Sequence, residues 1–317
     1  MPKEATTTMV IEAIYAVLSI FILVGAGMFL THIKWIGTKD QALLSRLVVK
    51  VALPGMIVSK IFTQYTRESL FESAPGILAP VISLLVTGAL ALLFARIGKV
   101  EKGRRGAFCC MFMFSNSVFV GLPVSIALFG DGVVPYTLLY YIANTVIFWS
   151  LGYYMLSRDG GAKTQFDWRK LIPLPLRVFF GSVILVLLGV KMPPFVISAA
   201  EYLGGMVTPL SLIYTGIVIM DMLQNKRFKW QRGYALMLGG RFLIAPAMLF
   251  LTGLLIPMPT LMRNALLIQA AMPVMGQTPI VCAECGSDPE YAAGGIALST
   301  ALCLVFIPLY MAIIPYI

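Results

Sequence analysis

Apolar runs of about twenty residues alternate along this chain with short polar stretches. A helix that crosses about 30 Å of hydrocarbon at 1.5 Å rise per residue needs about 20 apolar residues. Ten segments meet that requirement: 9–30, 43–62, 74–97, 105–130, 133–156, 172–190, 195–221, 233–256, 261–285 and 291–315. The pattern predicts an all-α polytopic membrane protein with ten transmembrane helices. The first run lacks an A-x-A-like cleavage site and reads as a retained span.

One polar linker, residues 158–170, divides the chain into a first half, 1–157, and a second, 171–317, with five spans each. An odd number of spans per half turns the second upside down relative to the first, the condition for an inverted repeat. The halves echo each other weakly. Pro54 and Pro123 lie 69 residues apart in spans 2 and 4; Pro209 and Pro279 lie 70 apart in spans 7 and 9. Gly130 follows Pro123 by seven residues and Gly286 follows Pro279 by seven, with Asp131 and Asp288 just beyond.

Spans 4 and 9 are interrupted. "RRGAFCCMFMF" reads as a first half-helix, "SNSVFVGL" as irregular, and "PVSIALFG" as a second half-helix. Proline suits a first helical position and glycine the position just past the end. Span 9 repeats the design: "LMRNALLIQAA" leads in, "MPVMGQT" breaks, and "PIVCAECG" resumes, with Thr278 placed to cap and Pro279 first in the helix. Non-helical backbone at membrane depth is tolerated only where protein buries it or it lines a watery cavity. Two breaks at matching places point to a transporter site, whose half-helix N-termini suit anions. A simple kink is the plainer alternative for either break alone.

These breaks supply the candidate substrate-binding residues: Ser115, Asn116, Ser117, Gly121 and Pro123 in the first, Gly276, Gln277, Thr278 and Pro279 in the second. Asn144, Ser299 and Thr300 lie mid-span in helices 5 and 10, facing either a cavity or a neighbouring helix. Arg241, inside span 8, is a candidate cavity-lining cation or the partner of Glu284 or Asp221. Lys50 and Lys60 lie near span ends, where they would snorkel.

Composition agrees with the pattern. The chain of 317 residues is 59% hydrophobic and 12% charged, with mean hydropathy +0.89. Soluble chains run near 45–50% apolar and about 25% charged. The net charge of +10 reports topology. With the N-terminus outside, the inward loops hold most of the 24 basic residues, among them Arg104, Arg105, Arg158 and Arg232. The expected localisation is the cell membrane, multi-pass, with both termini outside. Nucleic acid as a partner is disfavoured, because no basic-aromatic interleaving occurs. Five cysteines in apolar runs imply no disulfide framework, and Cys282-Ala-Glu-Cys285 without a second pair or a nearby histidine reads as helix packing. No metal site, catalytic residue or cofactor is expected, and no G-x-x-x-x-G-K-[ST] loop is present.

The motifs resemble one family across essentially the whole chain. "NSVFVGLP", Asn116 to Pro123, resembles the N-x-x-x-x-G-[IL]-P break of the auxin efflux carriers, which include the plant PIN-formed exporters and bacterial malate or malonate permeases. "RFLIAP", "PLSLIYTG" and the stretch from "AAMPVMGQTPIVCAECG" onward are similar to their eighth, seventh, ninth and tenth helices. The resemblance implies two inverted five-helix repeats, helices 4 and 9 crossed at their breaks, and elevator-like motion of a transport domain against a scaffold. It also implies that Asn116 contacts a substrate carboxylate. The plant carriers' acidic residue in helix 3 has no counterpart between Glu72 and Glu101.

The expected function is secondary transport of small organic anions, mono- or dicarboxylates, with sodium or a proton as candidate coupling ion. The lipid bilayer is the obligatory partner, and a homodimer stays open. The alternatives are a sodium or proton antiporter on the same fold, which would need acidic residues at the breaks, and a non-transporting membrane sensor.

Overall fold

The computed structural model describes residues 3–37, 39–161, 172–224 and 230–314. Most of the predicted linker, and the basic residues Lys163, Arg169, Lys170, Lys226, Arg227 and Lys229, lie outside them. Among the described residues the secondary structure is helical, with one isolated antiparallel bridge between Ser115 and Val274.

The first half contains α1 (Lys3–His32), α2 (Gln41–Leu47), α3 (Leu53–Gln64), α4 (Arg67–Ser73), α5 (Leu78–Ile97), α6 (Arg105–Met113), α7 (Leu122–Phe129), α8 (Val134–Ile147) and α9 (Tyr153–Gly160). The second contains α10 (Leu174–Leu187), α11 (Pro194–Gly205), α12 (Val207–Gln224), α13 (Tyr234–Gly239), α14 (Ala245–Leu255), α15 (Thr260–Ala270), α16 (Thr278–Cys285) and α17 (Pro289–Ile313). Every predicted apolar run coincides with one of these helices or with a consecutive group of them. Among the described residues, six stretches are by themselves long and apolar enough to cross a membrane: 41–64, 70–97, 131–160, 194–221, 234–255 and 289–310. The two interrupted runs are split, as their sequences predict.

The prolines explain much of the segmentation. Pro175, Pro194 and Pro289 open α10, α11 and α17 within the first turn, where a missing N–H costs nothing. At three other prolines inside continuing spans the helix widens ahead of the ring, whereas Pro308 lies within α17 without such a turn. Three π-helical turns, Val48–Ala52, Ser117–Gly121 and Gly240–Ile244, each end two residues before a proline: Pro54, Pro123 and Pro246. Proline clashes with the carbonyl four residues earlier and donates nothing to it. That carbonyl lies within the widened turn each time. Ahead of Pro246 it belongs to Phe242, and the Tyr310 hydroxyl donates to it. Neighbouring helices re-satisfy freed backbone in this way inside lipid.

Two groups of helices pack closely. α1 lies along α12, and α3 lies against α10 and α11. α5, α6, α9, α16 and α17 form the second group, around a core of Phe108, Phe112, Phe114, Phe148, Tyr234 and Tyr291. The two split spans sit in and beside this second group, and α7 with its preceding π turn also touches α1 and α12. Both short second half-helices end at glycines of positive φ, Gly130 and Gly286, each at 73°, as their spacing predicts.

Candidate functional site

The two breaks are bound to each other. Phe114 leaves α6 in an extended conformation, and Ser115 then faces Val274. Asn116 N–H donates to Pro273 C=O at 2.7 Å, and Met275 N–H donates to Phe114 C=O at 3.1 Å. These two bonds flank Ser115 and Val274, the pattern of a non-hydrogen-bonded antiparallel pair. The N–H and C=O groups of Ser115 and Val274 therefore point outward from the bridge, into protein.

Side chains from the following helices meet them. Asn144, on α8, accepts from Ser115 N–H at 3.2 Å and donates to Ser115 C=O at 3.0 Å. Its amide thus does what a third strand would do. Ser299, on α17, accepts from Val274 N–H at 3.1 Å. Of the two readings for Asn144, Ser299 and Thr300, the structure places the first two as backbone clamps of the breaks. Thr300, beside Ser299 and buried, accepts at its carbonyl from Cys303. The serine, one residue earlier, is the counterpart of Asn144.

The first break is shorter than its sequence suggests. Asn116 caps the π turn by accepting from Phe119 N–H at 3.1 Å, so only Phe114 to Asn116 is non-helical. The cap holds because asparagine Oδ1 satisfies an otherwise orphaned N–H. Thr278 is likewise not the cap of α16. It is the first residue of that helix, Gln277 takes the cap position, and the Thr278 hydroxyl donates back to Met275 C=O at 2.8 Å. Pro123 and Pro279 stand in the first turns of α7 and α16.

Capping uses Asn116 Oδ1 and leaves the Nδ2 donor. A Cβ placed on Gly276 would stand 3.9 Å from that nitrogen, so the amide adjoins the second break. The backbone hydrogen bonds do not engage Gly276 or Gln277 as donors, and α16 begins at the next residue. Two kinds of donor therefore collect here, a side-chain amide and two turn N–H groups, beside the positive end of the α16 dipole; at that end Thr278 N–H is taken by Met275 C=O and Pro279 has no N–H to offer. Ser115, Asn116, Ser117, Gly121, Pro123 and Thr278 are buried, whereas Val118, Gly276, Gln277 and Pro279 are half-buried. Phe119 of the π turn packs on Tyr214 of α12, with ring centroids 4.7 Å apart. A surface cleft lined by Ala79, Leu249, Arg263 and Asn264 lies at the opposite end of α15.

One buried polar side chain is not marked among the sequence candidates, and the partners of another differ from those expected. Gln269, fully buried in the last turn of α15, donates to Ser125 Oγ at 3.1 Å and packs against Gly121, whose missing Cβ would lie 2.3 Å from Gln269 Oε1. A glutamine inside the apolar run "NALLIQAA" was the available signal. Arg241 was singled out, but its partners were not foreseen. Its guanidinium donates to Phe112 C=O at 3.4 Å and to Ala270 C=O. These carbonyls belong to the last turns of α6 and α15. No carboxylate among the described residues takes part, and Glu284 is exposed on α16. Lys60, expected to snorkel, pairs with Asp131 at 2.7 Å.

A family model described as membrane transport protein matches residues 12–170 and 163–311. An uncharacterized transporter of Methanothermobacter thermautotrophicus is 28% identical over 304 residues, covering 94% of this chain and 97% of the relative. A second, from Methanocaldococcus jannaschii, is 25% identical over 302 residues, covering 93% and 96%. With matches over nearly its whole length, and in a helical fold of long apolar elements, the chain belongs to the membrane transport protein family, that of the auxin efflux carriers.

Proposed function

We propose that this transporter is a secondary carrier of small organic anions, mono- or dicarboxylates, working by alternating access around the joined breaks. The observation that carries the reading is the cluster of uncommitted donors at the bridge, Asn116 Nδ2 and the Gly276 and Gln277 N–H groups, beside the positive end of the α16 dipole. A carboxylate accepts several hydrogen bonds at once, and charge-assisted bonds are about twice as strong as neutral ones. Acidic side chains, which a sodium or proton antiporter needs for its cation, are missing from both breaks.

In this reading the ten apolar runs are ten spans in two inverted five-helix repeats, in the cell membrane with both termini outside. The Ser115–Val274 bridge lies between the repeats. The helices around α6 and α16 move as an elevator against the group formed by α1, α3, α10, α11 and α12. The Phe119–Tyr214 contact lies where the two groups meet, so the site would be uncovered by their relative motion.

Thermal unfolding of the purified protein in detergent, with a panel of acetate, malonate, malate and indole-3-acetate, tests the reading. A ligand that binds only the folded protein adds about 2.7 kcal/mol at a hundred times its dissociation constant. One or more acids should raise the midpoint of the wild type and leave Asn116→Ala unmoved. No response to any carboxylate refutes the carrier reading; an equal response in Asn116→Ala refutes the role of that amide.

A further inference from the structure

Arg241 raises a problem of charge. It is fully buried, and a buried cation normally needs an anion beside it. Its hydrogen bonds instead run to the last turns of two half-helices, at Phe112 and Ala270. The Tyr140 and Tyr310 phenols lie beside it, and Nε has no partner. The local fold is arranged for this contact. Arg241 sits in the π turn ahead of Pro246, and Gly240 lets the Phe112 ring come so close that a Cβ would stand 2.1 Å from it.

Each helix C-terminus carries about half a negative charge. Two ends together make about one, which a single guanidinium balances. In carriers built from inverted repeats, half-helix C-termini and unwound carbonyls are where a coupling sodium ion or proton is held. We propose that Arg241 is a resident cation that occupies this coupling-ion position at the joined ends of α6 and α15. The inference rests on the carrier reading for its context, and two consequences follow. The negative ends are neutralised permanently, so the positive ends of the second half-helices dominate the field at the bridge and select anions. No sodium ion is required to assemble the site.

The test uses cations alone, so a failure to find a carboxylate substrate leaves it intact. Thermal midpoints of the full chain in detergent are measured in sodium chloride and in choline chloride at equal ionic strength, with and without a few millimolar methylguanidinium. Wild type, Arg241→Lys and Arg241→Met are compared. Wild type and the lysine variant should give the same midpoint in both salts. The methionine variant should melt several degrees lower and recover part of that loss with methylguanidinium or sodium, neither of which moves the wild type. A merely packed arginine would give a methionine variant blind to small cations. That result overturns the proposal, as does a wild type stabilised by sodium over choline. A lysine variant damaged as badly as the methionine variant also overturns it, and this comparison remains decisive if Arg241→Met does not fold.

Discussion

Replacing Asn144 with leucine removes two hydrogen bonds at once and supplies an apolar side chain of similar size. The bonds measure 3.2 and 3.0 Å, and Asn144 is fully buried. Ser115 would keep its bridge position but lose the partner of its N–H and one partner of its C=O, which also accepts from Ser117 N–H at 3.0 Å. A buried polar group left unpaired costs about 1–3 kcal/mol. The N–H bears the full cost and the carbonyl part of it, so the loss should be about 2–4 kcal/mol. Interhelical hydrogen bonds in membranes average only about 0.6 kcal/mol, because side chains in the unfolded reference find other partners. Here the orphaned groups are backbone at a helix break, and their alternative partners would have to come from a rebuilt bridge. In thermal unfolding the midpoint should fall by several degrees, at about 2 °C per kcal/mol for a chain of this size. Ser299→Ala removes one acceptor and should cost about 1 kcal/mol. If Asn144→Leu melts with the wild type, the side chain does not clamp the break and the reasoning fails.

Three further outcomes follow from the same geometry. Gly121→Val forces a side chain into Gln269, whose amide lies 2.3–2.9 Å from the new Cβ; it should cost about 1–3 kcal/mol by overpacking, read as a lowered midpoint, and the smaller Gly121→Ala should cost less. Asp288 accepts from Tyr291 N–H at 2.9 Å as the cap of α17 and pairs with Arg104 at 2.7 Å; Asp288→Ala should cost about 1–2 kcal/mol, mostly from the cap. Lys60→Ala should change stability by less than about 1 kcal/mol, because Asp131 is largely exposed and such pairs are screened; a larger loss in chemical or thermal unfolding would mean the pair is sequestered.

The positions of the helices were legible because apolar run length and proline placement act locally. A run of about twenty apolar residues has few alternatives to a helix in lipid, and Pro-then-Gly at a spacing of seven brackets a short helix wherever it occurs. That logic located both breaks, Gly130 and Gly286 included. It misjudged where helical structure resumes after the first break: Ser117 to Gly121 looked irregular and forms a π turn ahead of α7. Thr278 looked like a cap and is not, because the cap is set by how the chain leaves the bridge.

Pairing was a different matter. That the breaks lie against each other could be expected from resemblance, but no pattern in "FSN" or "PVM" names Ser115 and Val274 as partners. Asn144 and Ser299 carried an ambiguity between cavity and clamp that only their distances to backbone resolve. Arg241 shows the division most plainly. The sequence by itself determined that a charge lies inside a span, and intramembrane charges are expensive enough to demand a partner. It suggested a carboxylate, because side-chain charges are visible in a sequence. The partners are carbonyls at two helix ends, whose partial charges exist only once α6 and α15 have formed and been brought side by side. Tertiary structure decided that, since a helix dipole is a property of folded backbone and of its neighbours.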